Sequence, residues 1–209
     1  TMNNNYIDLM GIEEKYPNLK YDDKKNILTG TINICKKCND EIIRKSYDLL
    51  IDFNKSSIPY VYDIGKKIKK NYEHKYVDSR LCLATDVEQF IFLQKEQKIS
   101  LWIEHFVEPY FISYEYYQLY GIYPFGSYSH GKKGIIEFYE QYFNLENEKN
   151  SLDIIKYILL KKYRGHDLCP CGSNQKIRKC HKNFILACKN DPNILTLEKY
   201  FRRNFGEKN

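Results

Sequence analysis

Leu19-Lys-Tyr21, the polar cluster Asp22-Asp23-Lys24-Lys25-Asn26, and Ile27-Leu-Thr-Gly-Thr-Ile-Asn-Ile34 decide how the first half of the chain is read. Apolar and β-branched residues flank a turn cluster, which predicts a hairpin. Two further extended runs follow. Tyr47, Leu49, Ile51 and Phe53 alternate with mostly polar neighbours, Asn54-Lys-Ser-Ser57 turns the chain, and Ile58-Pro-Tyr-Val-Tyr-Asp-Ile64 runs up to Gly65. Four strands joined by short links make an antiparallel meander. Ahead of them, Tyr6, Leu9, Met10 and Glu13 fall at helical spacing within residues 5–16, and Pro17 closes a short amphipathic helix. The expected class is α+β.

Beyond the meander the pattern is helical. Thr85-Asp86-Val87-Glu88 has the form of a capping box, with Val87, Phe90, Ile91 and Leu93 or Gln94 forming one face. Ser100 can cap a long helix from Leu101 to Tyr120, kinked near Pro109 and stopped at Gly121. Its inward stripe is Trp102, Phe106, Tyr110, Tyr114 and Tyr117, and His105 reads as a partly buried packing residue. Gly126-x-x-x-x-Gly131-Lys132 has the front of a phosphate-binding loop, but Lys133 stands where a magnesium-binding Ser or Thr is needed. We read it as a Gly-rich turn before a helix from Gly134 to about Asn144, with an anion at that helix start left open. Ser151 to Gly165 is a further helix, with Ser151 as N-cap and Gly165 as left-handed stop, and a last basic helix spans Asn193 to about Asn204.

The 209 residues allow one domain of ordinary size and a small appendage. No apolar run approaches the roughly 18 residues of a membrane span, and the polar Met2-Asn-Asn-Asn has no signal-peptide character, so a cytoplasmic protein with no membrane partner is expected. Seven cysteines are an odd number without the spacing of a secreted disulfide framework, which favours reduced thiols and metal. Charge is unevenly divided. Residues 161–209 carry 12 Lys and Arg against 4 Asp and Glu, a balance of +8, whereas the remainder comes to −2. Such a tail could meet an acidic protein surface or nucleic acid, or be a solvated face.

Cys169-Pro-Cys171-Gly-Ser-Asn-Gln-Lys-Ile-Arg-Lys-Cys180-His181 places four metal ligands within thirteen residues. Three thiolates and an imidazole suit tetrahedral zinc, and Lys176, Arg178 and Lys179 lie within the loop to offset the negative ligand set. A metal held here would order a segment with too little apolar area to fold alone. Cys35-Lys-Lys-Cys38 lacks a second pair and a βαβ context, so we read it as loop thiols. Leu81-Cys82-Leu83 ends an extended segment just before the Thr85 cap. Cys82 fits two readings: a small buried residue between leucines, or a thiol whose pKa is depressed by a helix N-terminus.

Residues 166–186 resemble the SEC-C motif, a small zinc element appended to many bacterial proteins, and the resemblance implies a docking role toward protein partners. Residues 5–120 resemble the ubiquitin-conjugating-enzyme fold, through the opening helix, the meander, the strand containing Ile58-Pro59, and a histidine followed shortly by Leu-Cys-Leu. A bacterial branch of that family, with a histidine eight residues before the cysteine and a terminal SEC-C element, is matched by His74, Cys82 and the tail. The resemblance implies that Cys82 is the thioester nucleophile and His74 the histidine of the family's His-Pro-Asn tripeptide. Lys75 and Tyr76 stand where proline and asparagine would be, and Tyr76 would take the oxyanion-supporting position. The implied organisation is a conjugating-like domain over 2–122, a helical extension over 123–165, and a zinc knuckle with a basic helix over 166–209. The implied activity is transfer of a ubiquitin-like protein through a cysteine thioester, with an activating enzyme as partner and zinc as cofactor. The alternative is a non-catalytic adaptor with the same fold, docking to protein or nucleic acid through the basic tail.

Overall fold

The computed structural model describes residues 7–126, 129, 131–145 and 149–206. Tyr6, the Met2 start and parts of the Gly126–Gly131 loop lie outside the described residues. The chain divides into two compact units, Thr1–Ser127 and Tyr128–Asn209.

The first unit is α+β. It runs α1 (Leu9–Lys15), β1 (Leu19–Asp22), β2 (Ile27–Cys38), β3 (Glu41–Asp52) and β4 (Tyr60–Asp63). The four strands form one antiparallel sheet in the order β1-β2-β3-β4, the expected meander. β2 and β3 reach 12 residues each, well past the polar Cys35-Lys36-Lys37 and Arg44-Lys45-Ser46 stretches that hide them in the sequence. Their outer ends pair Cys38 with Glu41, and the turn between uses Asn39 at φ +52°. The thiols of Cys35 and Cys38 are therefore strand residues and not loop residues. Their odd spacing puts them on opposite faces, with Cys35 exposed and Cys38 buried.

α1 turns a different face inward from the one expected. It begins at Leu9, buries Ile12 at the helix and Tyr16 just beyond it, and leaves Met10 86% exposed. The Tyr16 hydroxyl donates to Glu108 at 2.9 Å.

After the sheet come α2 (Asp86–Glu96), α3 (Ile99–Trp102), a π-helical turn (Ile103–Val107) and α4 (Glu108–Tyr120). Ser100 does not cap the long helix. Its amide donates to the Asp8 carboxylate at 3.0 Å and its hydroxyl to the same group, a bond across 92 positions that sequence spacing cannot reveal. The predicted kink at Pro109 takes the form of the π-turn just before it, since proline lacks the N–H that an unbroken α-helix requires there. Trp102, Val107 and Phe111 are fully buried, and Phe111 stacks on Tyr47 with centroids 4.0 Å apart, fixing α4 against β2 and β3. His105 is exposed and not part-buried, stacked on Phe92 at 4.6 Å.

The second unit holds α5 (Lys132–Tyr142), α6 (Ser151–Leu160), a 3-10 turn (Ile177–Lys179), α7 (Lys182–Lys189) and α8 (Ile194–Phe205). α6 packs against α5, α7 and α8, and the buried Tyr139 hydroxyl donates to the Leu197 carbonyl at 2.9 Å. α5 starts two residues earlier than expected, after Gly131 at φ +66°. The Ser129 amide and hydroxyl both donate to Glu137, at 2.6 and 2.7 Å, so a carboxylate of this chain serves donors ahead of α5. Ser151 is the first residue of α6 and not its cap; its buried hydroxyl donates to Leu145. α6 ends at Leu160 and not Gly165, where the Lys189 ammonium donates to the Ile158 carbonyl at 2.6 Å and caps the helix. Among the described residues, no helix is long and apolar enough to cross a membrane.

Gly30 is the tightest point of the sheet. It sits in β2 at φ +139°, opposite Leu19 and Leu49, and an added Cβ would lie 2.0 Å from the Asn18 carbonyl oxygen. Gly30→Ala is expected to lower the stability of the first unit by about 3 kcal/mol or more. Denaturant unfolding followed by the fluorescence of Trp102, the only tryptophan in the chain, measures the loss.

Candidate functional site

The segment after β4 is held by two tyrosines of α4. Tyr114 Oη donates to the Lys67 carbonyl at 3.2 Å and accepts from the Lys69 amide at 3.3 Å. Tyr110 Oη donates to the His74 carbonyl at 3.1 Å. Tyr72 packs edge-on against both rings, and Asp63 receives the Ile68 amide at 2.7 Å. So anchored, the chain folds into a second, smaller hairpin.

The Cys82 amide donates to the His74 carbonyl at 2.8 Å, Lys75 bridges Leu81, and the Tyr76 amide donates to the Arg80 carbonyl at 2.8 Å. The tip is Val77-Asp78-Ser79, with Ser79 left-handed at φ +69°, as a three-residue hairpin loop requires. The eight-residue interval from His74 to Cys82 is thus a register: each is the other's cross-strand partner. The returning arm adds to β4, since the Leu81 amide donates to the Val61 carbonyl at 2.8 Å and Tyr62 bridges Arg80.

Period-two alternation puts His74, Tyr76, Arg80 and Cys82 on one face of this hairpin. Cys82 Sγ donates to the Tyr76 hydroxyl at 3.2 Å. The Arg80 guanidinium lies over the rings of both Tyr76 and Tyr60, 4.2 Å from each centroid. His74 joins Cys82 through the backbone, and its imidazole Nε2 lies 3.9 Å from the Glu73 carboxylate and edge-on to Tyr123. Ile58, Pro59, Leu81, Leu83, Ala84, Asp86 and Gln89 line, with Tyr76 and Arg80, a small recess that Cys82 borders.

Burial pushes the Cys82 thiol up from its ordinary value, while the hydrogen bond with Tyr76 and the charge of Arg80 pull it down and Asp86 adds to the rise. Of the two readings of Cys82, the thiol depressed by the α2 N-terminus is not the one found, because desolvation is the largest effect. The Thr85 hydroxyl does cap α2, accepting from the Glu88 amide at 3.3 Å. The reciprocal half of the box is missing, since Glu88 Oε2 is buried without a hydrogen-bond partner. Arg80 and Gln89 were not marked by the sequence; the parity of the hairpin was the signal that could have found Arg80.

In the second unit, the Cys169 amide donates to the Gln175 carbonyl at 2.7 Å, and Leu168 bridges Lys176, so the loop closes on itself. Gly172 at φ +76° and Asn174 at φ +57° turn it, and the fully buried Ile177 anchors the return. Cys169, Cys171, Cys180 and His181 offer ligand atoms all within 4.8 Å of one another. His181 Nδ1 lies 3.3 Å from Cys169 Sγ and 3.1 Å from Cys180 Sγ, and the Cys171 and Cys180 sulfurs are 3.6 Å apart. A tetrahedron with metal–sulfur bonds of about 2.3 Å has sulfur–sulfur edges of about 3.8 Å, so the four predicted ligands fit one metal ion. Lys176, Arg178 and Lys179 are exposed around it. No family model, curated protein or solved structure matches the chain.

Metal analysis of the purified protein should find a single bound ion per chain, lost in Cys169→Ser and kept in Cys35→Ser. Glu88 gives a pH signature. Burial pushes its carboxyl up from 4.5 to about 7, so the folded state keeps a proton that the unfolded chain has released between those values. The contribution of Glu88 is full below about pH 4.5 and is lost as pH rises through about 7. Urea unfolding at pH 5 and pH 8 should show wild type losing about 2 kcal/mol relative to Glu88→Gln across that window.

Proposed function

We propose that the first unit carries acyl groups as thioesters on Cys82, in the manner of a ubiquitin-conjugating enzyme, and that the Cys/His cluster is a zinc docking element. The observation that carries this reading is the Cys82 thiol at 3.2 Å from the Tyr76 hydroxyl, on the rim of a recess, with its amide tied to the His74 carbonyl. The reaction is transthiolation. Cys82 attacks the carbonyl carbon of an activated thioester, the carrier thiol leaves with the proton, and the acyl group passes on to an amine or another thiol. Tyr76 takes the place held by asparagine in the family the sequence resembles. Its hydroxyl accepts from the neutral thiol and can turn to donate once that proton has gone. Zinc on the three thiolates and imidazole would stabilise the knuckle fold; Cys169 and Ile177 tie it inward while the basic residues stay free for a partner.

A non-catalytic adaptor is the second reading, and the raised pKa of Cys82 favours it, since a protonated thiol is a poor nucleophile. Incubation with a ubiquitin-like protein and its activating enzyme separates the two. A reductant-sensitive adduct that is lost in Cys82→Ala supports carriage; no adduct with any neighbouring-operon partner supports the adaptor.

A further inference from the structure

Two residues that line the Cys82 recess each carry a polar atom that is buried without a hydrogen-bond partner. One is Arg80 Nε, a donor, and the other is Gln89 Oε1, an acceptor. Gln89 is only 4% exposed, and its amide orientation is fixed by Nε2 donating to the Ala84 carbonyl at 3.1 Å, so Oε1 is the atom left over. A buried donor with nothing to donate to costs about 1–3 kcal/mol. Arg80 is nonetheless held, its guanidinium lying over the rings of both Tyr60 and Tyr76. Tyr60 and Tyr76 cover the guanidinium, and its Nε is shielded from solvent. Arg80 lies two places before Cys82, on the same hairpin face.

We propose that Arg80 is a catalytic residue of this site, its guanidinium donating to the oxyanion formed when Cys82 attacks an acyl carbonyl. The assignment rests on the reading of Cys82 as an acyl-accepting nucleophile. As the sulfur–carbon bond forms, the carbonyl π pair moves onto oxygen; collapse of that oxyanion expels the leaving group, and the thiol proton passes to solvent. Tyr76 is engaged with the sulfur in the resting state, and Arg80, which lines the same recess, offers the oxygen a charged donor beside it. Charge assistance makes such a donor stronger than a neutral amide.

The test compares two reactions of Cys82 in the full-length protein, read by peptide mapping at one pH. Alkylation by iodoacetamide is a displacement with no oxyanion. Acetylation by p-nitrophenyl acetate passes through one, leaving S-acetyl-Cys82 and releasing p-nitrophenolate and a proton. Both rates scale with the thiolate fraction, so their ratio isolates the stabilisation of the oxyanion. Arg80→Met should lower the acetylation-to-alkylation ratio by about tenfold or more. Arg80→Lys, which keeps the charge but not the fork, should fall between, and Arg80→Gln serves if the methionine variant loses the wild-type circular dichroism. Equal slowing of both reactions would make Arg80 a tuner of the thiol and overturn the proposal. So would an unchanged ratio. Wild type that acquires no acetyl group at Cys82 would remove the nucleophile reading along with it, whereas an acetylated wild type with an indifferent Arg80 sinks the donor alone.

Discussion

One carbonyl organises the candidate site. The oxygen of His74 accepts from the Cys82 amide at 2.8 Å and from the Tyr110 hydroxyl at 3.1 Å, so both of its lone pairs are used. The first bond closes the small hairpin and sets which residues share its face; the second ties that hairpin to α4, which is itself locked to the sheet through Phe111 on Tyr47. A buried peptide carbonyl left unpaired is costly, and here the partners that prevent the cost are the ones that position Cys82. Tyr114 repeats the device two turns of chain earlier in the loop, on Lys67 and Lys69. The tyrosines of α4 thus use their rings for packing and their hydroxyls for the loop. A phenylalanine in the same place could do only the first.

Much of this was legible in the sequence because it is local. The meander follows from alternation around short polar turns, and the Cys/His cluster follows from four ligands close together in the chain. The features that escaped are those whose cause lies far away in sequence. Ser100 looks like a helix cap until Asp8 takes its amide, 92 positions away. Cys35-Lys36-Lys37 looks like a loop until Ile42-Ile43-Arg44 of β3 pairs with it, with Lys36 and Lys45 reaching Glu108 and Glu115 of α4 at 3.4 Å. α6 looks five residues longer than it is until Lys189 caps it. The spacing of His74 and Cys82 was visible as an interval, but the interval acquires meaning only as a hairpin register, and with it comes the alignment of Tyr76 and Arg80.

The two thiol environments differ in what they ask of a proton. In the second unit the sulfurs face one another and an imidazole, an arrangement that a divalent cation neutralises. At Cys82 there is one sulfur, a phenol at hydrogen-bond distance and a guanidinium behind the phenol. Burial opposes ionisation there, and Arg80 and Tyr76 oppose burial. A core cysteine needs none of this, since a thiol between two leucines is already content as a small apolar group.

The same comparison can be put to Arg80. If it served packing alone, a methionine would fill the space between Tyr60 and Tyr76 without stranding a polar atom, and replacing buried ionic groups by apolar ones of similar size is often neutral or stabilising. Instead the site keeps a cation whose Nε has no partner, in a recess that is also lined by Cys82 and by Gln89, whose amide oxygen is unpaired. Each unpaired atom weakens the folded state when the recess holds no ligand polar groups to meet them. A structure that bears that cost at two positions of one recess, beside the Cys82 thiol, has the energetics on which the proposed donor role of Arg80 rests.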